Sequence, residues 1–402
     1  MSSVGRPVPE DPRVRDLVRQ ARGVSRRRFL AGAAGALGAG ALLAACGTGG
    51  APRSASAGER ADGPLRWANW TLYLDQDEAG TSFPTLEAFE KRSGIAVDYA
   101  EDIEDNDSFH GKVSRQLEAG QDIGYDVVTL TDWMAARWIR QEHVAELDRS
   151  RIPNAENILP NLDAVDFDDG RRYSLTWQSG FAGIAWDTQA LPGGVRSVSD
   201  LWDPELRGRV GVLSEMRDTI GLIMLENGTN PAADWSTDDW FDALDVVRRE
   251  LDNGQIRQVR GNSYTQDLAN GDVVACFAWS GDITSLNYEH DGRFAFAIPE
   301  AGGTLWSDNL LVPKASPRRA QAEDLFDYYY DPEVAAEVAA WVNYITPVQG
   351  AQEVLARTDP ELAEDPLIFP TEEILAQAHV FRTLSPAEEE RYNGQFLTTI
   401  GA

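Results

Sequence analysis

From residue 65 onward, short apolar runs alternate with stretches in which apolar positions recur every three to four residues. The run 65–70 predicts a strand, and 83–92 has the spacing of a helix that Gly94 ends. A strand over 95–99, a helix over 108–118 stopped near Gly120, a strand over 125–130 and an amphipathic helix through Arg140 follow. This strand–helix rhythm predicts a mostly parallel sheet covered by helices. A second set begins further on. Strands are expected at 209–213, 273–279, 294–298 and 305–312, and helices at 218–226, 238–251 and 318–330. Asn227-Gly228 and Asn253-Gly254 supply two of the helix stops. The run 273–279 is apolar throughout, as expected of a strand covered on both faces. No repeat or long linker divides the segment from Leu65 to Ala402, which favours two α/β lobes sharing strands over two separate domains.

The 402 residues suffice for two such lobes, and 43% apolar content is that of a globular chain. A formal net charge of −29 argues against nucleic acid as a partner, because no basic excess is present to neutralise phosphates. The acidity is compatible with a cationic ligand and equally with general surface solubility.

The first 63 residues have a different character. Ser25-Arg26-Arg27-Arg28-Phe29-Leu30 matches the twin-arginine export pattern, and an Ala/Gly-rich stretch continues to Ala45. At roughly 17 residues that stretch is shorter than the ~20 a spanning helix needs. Leu43-Ala44-Ala45-Cys46 is a lipobox, so 1–45 is expected to be a signal peptide and Cys46 the lipidated residue. Residues 46–63, rich in Gly, Ala and Ser, are expected to tether the lipid to the folded body. Cleavage would remove eight Arg against three acidic residues and leave the chain more acidic still. Cys276, in an apolar strand, has no disulfide partner once Cys46 is acylated.

Catalytic motifs are missing from the sequence. The four histidines, His110, His143, His290 and His379, lack metal-ligand spacing. There is no G-x-S-x-G elbow and no P-loop. Asp166-Phe167-Asp168-Asp169-Gly170 lacks the full ligand set of a calcium loop and is expected to be a polar turn before a strand at Tyr173. The expectation is a protein that is no enzyme and uses neither cofactor nor metal. A secreted hydrolase working through a carboxylate pair is the remaining catalytic alternative.

Twelve tryptophans stand out, several of them where strands are expected to end. Trp70-Thr71-Leu72-Tyr73, Thr131-Asp132-Trp133, Glu215-Met216-Arg217-Asp218, Trp279-Ser280-Gly281-Asp282 and Trp306-Ser307-Asp308 pair aromatic with acidic residues at such positions. Trp306 and Asp308 share one face of an extended segment, and Glu215 and Asp218 share one face of a helix start. Aromatic walls suit polymethylene chains and attract ammonium groups, and carboxylates hold the charged ends. Spacing alone leaves other roles open. Glu215 and Asp218 also fit a helix dipole, Trp279 a core, and Trp70 and Tyr73 a sheet cap.

Together with Tyr125-Asp126-Val127-Val128, Asp200-Leu201-Trp202-Asp203-Pro204, the segment from Tyr264 to Asp272 and Tyr344-Ile345-Thr346-Pro347, these groupings carry a resemblance. The chain resembles the bacterial spermidine/putrescine-binding proteins of ABC importers along nearly all of 65–402. The resemblance implies a two-lobed periplasmic-binding-protein-like α/β fold (type II) with two hinge crossovers and a ligand cleft between the lobes. It places one lobe at 64–180 plus 304–353 and the other at 181–303 plus 354–402. It implies a ligand-binding role for Trp70, Thr71, Tyr73, Thr131, Trp133, Glu215, Asp218, Trp279, Asp282, Trp306, Asp308 and Tyr344. A polyamine, an ABC permease and the membrane (through Cys46) are the implied partners of a monomer on the outer face of the cytoplasmic membrane or in the periplasm. Leu72 departs from the pattern, since the family usually has an acidic residue there. The same fold with another solute, an amino-acid derivative or ferric iron, is the alternative, the latter prompted by Tyr328-Tyr329-Tyr330.

Overall fold

The computed structural model describes residues 62–77 and 79–401. The export signal, Cys46 and all but the last two residues of the expected tether lie outside them. Ten strands form one continuous, curled sheet: β1 (Leu65–Trp70), β2 (Val97–Ile103), β3 (Val127–Thr131), β4 (Ser174–Asp187), β5 (Val210–Leu213), β6 (Ile256–Arg260), β7 (Ala275–Trp279), β8 (Phe294–Ala297), β9 (Gly303–Leu311) and β10 (Ala378–His379). Their order is β2-β1-β3-β9-β4-β7-β5-β6, with β8 beside β4 and β10 beside β9.

At each end of this order lies the parallel trio that the strand–helix rhythm predicts: β1 with β2 and β3, and β5 with β6 and β7. The centre departs from that expectation. There β9 and β4 run antiparallel to each other and to the strands beside them, β3 and β7. Chain reversal explains this, because strands that cross from one trio to the other and back must oppose each other.

Two apolar cores lie on either side of the centre. The first draws on residues between Leu65 and Trp177 and between Leu310 and Ile368. The second draws on residues between Ala182 and Phe294 and between Phe381 and Phe396. β4 thus enters from the first core with Leu175 and Trp177 and leaves into the second with Ala182 and Ile184, and β9 makes the return. Trp279 and Trp306 pack against both.

Local chemistry sets the helix ends near the cleft. Asp105 caps Asn106–Glu118 by accepting from the Ser108 amide, and Ser385 with Glu388 forms a capping box at the start of Pro386–Ile400. Gly94 ends Pro84–Ser93 in the left-handed region at φ 70°, as its position predicts. Among the described residues no helix is long and apolar enough to cross a membrane.

Candidate functional site

The carboxyl ends of β1, β3, β5 and β7 face a common cleft of about 2240 Å³, the place where open α/β sheets receive ligands. All twelve cleft residues expected from the sequence line it. Each reaches it through a different piece of local structure.

Trp70 ends β1, and the chain then turns through Leu72, which sits in the left-handed region at φ 58°. Its amide donates to Glu101 Oε1 at 2.8 Å, fixing the turn that delivers Tyr73 to the cleft. Thr131 closes β3, and Trp133 lies in the first turn of Asp132–Arg140. Glu215 is the N-cap of Met216–Glu226, accepting from the Arg217 amide at 3.2 Å, and Asp218 follows in its first turn. Trp279 ends β7, and Asp282 lies at the start of Ser280–Glu289.

Trp306 and Asp308 come from β9, opposite Gly180 and Gln178 of β4. A side chain at Gly180 would place its Cβ 2.5 Å from the Trp306 ring and 2.8 Å from Tyr344. One at Gly281 would lie 2.8 Å from three atoms of the Tyr344 ring. Tyr344 therefore lies in a slot left open by two glycines. Its ring meets Trp306 at 5.1 Å and Tyr73 at 5.7 Å between centroids, both edge to face.

Three carboxylates face these rings. Asp308 accepts from the Thr131 hydroxyl at 2.7 Å and from the Tyr73 hydroxyl at 2.9 Å. Asp218 accepts from the Thr304 hydroxyl at 2.7 Å and from the Trp279 indole at 2.8 Å. Asp282 accepts from the Tyr344 hydroxyl at 2.8 Å. These donors are neutral. Burial therefore dominates the titration of Asp308, which is pushed up to about 7, with Asp132 and Asp218 adding repulsion. Asp218 is raised by the same burial. Tyr73 and Tyr344 are held well above the usual phenol range by burial and by the adjacent carboxylates.

Behind β9 a buried chain of polar groups fixes the strand. The Arg171 guanidinium donates to Asn309 Oδ1 at 2.7 Å, and Asn309 donates to Asp132 Oδ1 at 2.7 Å.

The Glu215 end of the cleft is different. Burial pushes Glu215 up to about 8 against the pull of Arg217. Arg217 is itself buried and stacks on Trp133, with its guanidinium carbon 4.1 Å from a ring centroid. Glu389, on Pro386–Ile400, accepts from Arg137 at 2.9 Å and from Arg140 at 3.0 Å. Arg217, Thr304 and Glu389 also line the cleft and were not legible as cleft residues. Arg217 lay inside a quoted motif, but nothing in its spacing shows that it turns inward. Glu389 lies in a polar helix whose packing the sequence leaves open.

The other motifs have structural employment. Asp168 accepts from the amides of Arg172, Tyr173 and Ser174 and from the Ser174 hydroxyl, holding the polar turn. Tyr328 and Tyr330 donate to the Thr85 and Thr176 carbonyls, and Tyr329 meets the Thr85 hydroxyl, all in the first core. Among the described residues no group of three or more His, Cys, Asp or Glu is placed to hold a metal ion.

Comparison with known proteins puts this geometry in context. The family model described as bacterial extracellular solute-binding protein matches residues 85–371. The chain is 27% identical over 320 residues to spermidine/putrescine-binding periplasmic protein 1 of Haemophilus influenzae, covering 78% of this chain and 84% of that protein. It is 28% identical over 327 residues to a putrescine/agmatine-binding protein of Pseudomonas aeruginosa, covering 76% and 85%. Among solved structures, a Treponema pallidum lipoprotein superposes with a TM-score of 0.70 at 21% identity, covering 85% of this chain and all of that one. A Streptococcus pneumoniae spermidine/putrescine ABC-transporter substrate-binding protein superposes with a TM-score of 0.68 at 22% identity, covering 84% and 98%. These superpositions establish the two-lobed α/β fold of periplasmic substrate-binding proteins. With more than half of its length matched, the chain belongs to the bacterial extracellular solute-binding protein family.

Proposed function

We propose that this protein captures a polyamine of the putrescine or spermidine class outside the cytoplasmic membrane and hands it to an ABC importer. The observation that carries the reading is the convergence of Asp218, Asp282 and Asp308, bonded by neutral donors, on a cleft walled by Trp70, Trp279, Trp306 and Tyr344. Carboxylates bonded by neutral donors gain from an ammonium the counter-charge those donors lack, while the rings suit both methylene spacers and ammonium groups. The named relatives point the same way.

In this reading the lobes are 64–180 plus 304–353 and 181–303 plus 354–402, closing on the ligand about β4 and β9. The twin-arginine signal exports the chain, Cys46 carries the lipid that anchors it, and the protein acts as a monomer without catalysing a reaction. Isothermal titration of the purified protein with putrescine and spermidine tests the reading. Saturable heat with micromolar or tighter affinity, roughly −8 kcal/mol, is expected. No heat with either amine refutes it.

A further inference from the structure

The cleft already contains a cation of its own. Arg217 projects from the helix after β5, is 8% exposed, and lays its guanidinium 4.1 Å from the centroid of a Trp133 ring. Arg137 covers the same indole at 5.0 Å. The π surface of Trp133 is therefore used by the protein. Glu215, the acidic group at this end, has Arg217 Nη1 3.8 Å from its Oε1. Arg217 Nη2 lies 3.6 Å from Glu389 Oε1. Glu389 in turn is held by Arg137 and Arg140.

The rest of the cleft is bonded differently, although Asp218 follows Arg217 directly on the same helix. There the hydrogen bonds to Asp218 and Asp308 come from hydroxyls and an indole, and no guanidinium stacks on Trp306 or Tyr344 among the described residues. An elongated amine entering the cleft thus finds Asp308 and Asp218 bonded by neutral donors and the Glu215–Trp133 corner taken by Arg217.

We propose that Arg217 sets the length of amine the cleft accepts: its guanidinium fills the place of a further ammonium group, so the site takes a short diamine and discriminates against a triamine. This rests on the polyamine reading given above. The physical basis is repulsion together with occupancy. A third ammonium would have to displace Arg217 from Trp133 and Glu215, or sit beside it in a buried site where like charges repel strongly.

The test compares the purified full-length protein with Arg217→Met, which keeps the apolar stem, and Arg217→Ala, by calorimetry with putrescine and spermidine at pH 8. The unaltered protein is expected to favour putrescine by about tenfold or more. In the variants spermidine is expected to gain about tenfold while putrescine stays within about threefold. A merely structural Arg217, pinning Glu389, would move both amines together. An unchanged ratio in the variants overturns the proposal, as does a preference of the unaltered protein for spermidine, which needs no variant to fold. If the unaltered protein binds neither amine, the polyamine reading itself fails, an outcome distinct from an unchanged ratio.

Discussion

Replacing Asp308 with Asn should cripple binding while sparing the empty protein. Asp308 is 5% exposed and accepts hydrogen bonds from the Thr131 and Tyr73 hydroxyls. An ammonium in the cleft would add a charge-assisted bond worth about 3 kcal/mol, so its loss should weaken affinity about 100-fold. The effect on stability has the opposite sign. Burial raises the Asp308 pKa from 3.8 to about 7. Stability is then present below pH 3.8, is lost as pH rises toward 7, and is fully forfeited above it. That shift corresponds to a cost of roughly 4 kcal/mol for keeping the charge at pH 8. Asparagine removes the cost, although its amide must turn away from one of the two hydroxyl donors. The expected result is an affinity about 100-fold lower by calorimetry and an unliganded melting point at pH 8 no lower than that of the unaltered protein. The control is Asp168→Asn, outside the cleft, where the carboxylate holds three backbone amides. It should lower the melting point and leave affinity intact. Equal affinity losses in the two variants would refute the reasoning.

Affinity should also depend on pH. With Asp308 titrating near 7, a proton competes with the ammonium below that value. Calorimetry should show putrescine binding about tenfold weaker at pH 6 than at pH 8, and a flat profile would contradict this. Gly281→Ala forces a Cβ to 2.8 Å from the Tyr344 ring. It should cost about 1–3 kcal/mol of stability and weaken amine binding about tenfold, measured by melting and titration. Glu389→Gln removes the negative charge shared by Arg137 and Arg140, which lie on a helix of the other core. If this ion pair holds the two cores together, small-angle scattering of the unliganded variant should show a larger radius of gyration, and an unchanged curve would refute that role.

The parts of the fold that were legible in the sequence are those where burial is one-sided or complete. β1 stands where its apolar run predicts it, and the helices at 83–92, 238–251 and 318–330 appear within a residue or two of their expected bounds. Gly94 marks a boundary because only a left-handed residue closes that turn cheaply. β2 starts two residues late and runs on to Ile103, through Glu101 and Asp102, because an edge strand with a solvated face needs few apolar residues.

Beyond its start, expected at Tyr173, β4 was almost invisible. Its fourteen residues include Thr176, Gln178, Ser179, Gly180 and Gly183 and show no alternation, although the strand is buried nearly throughout. Some of its polar groups are satisfied by partners outside the strand, as when Ser179 meets Ser307 and Thr176 accepts from Arg171, and its glycines leave room for rings. Neither requirement is written in β4's own hydrophobic pattern. The same holds for the site. Aromatic and acidic residues at strand ends were readable as a set, while Arg217 and Glu389 acquire their roles only through contact across the two lobes.

The central claim is that the carboxylates and rings of this cleft cradle the ammonium groups of a diamine. A crystal structure of the protein with putrescine bound at pH 8 tests it most directly. The account predicts one terminal nitrogen within hydrogen-bond distance of Asp308, the other at Asp218 or Asp282, and the methylene chain against Trp306 and Trp279. A diamine found outside the cleft, or inside it with neither nitrogen on these carboxylates, would contradict the account.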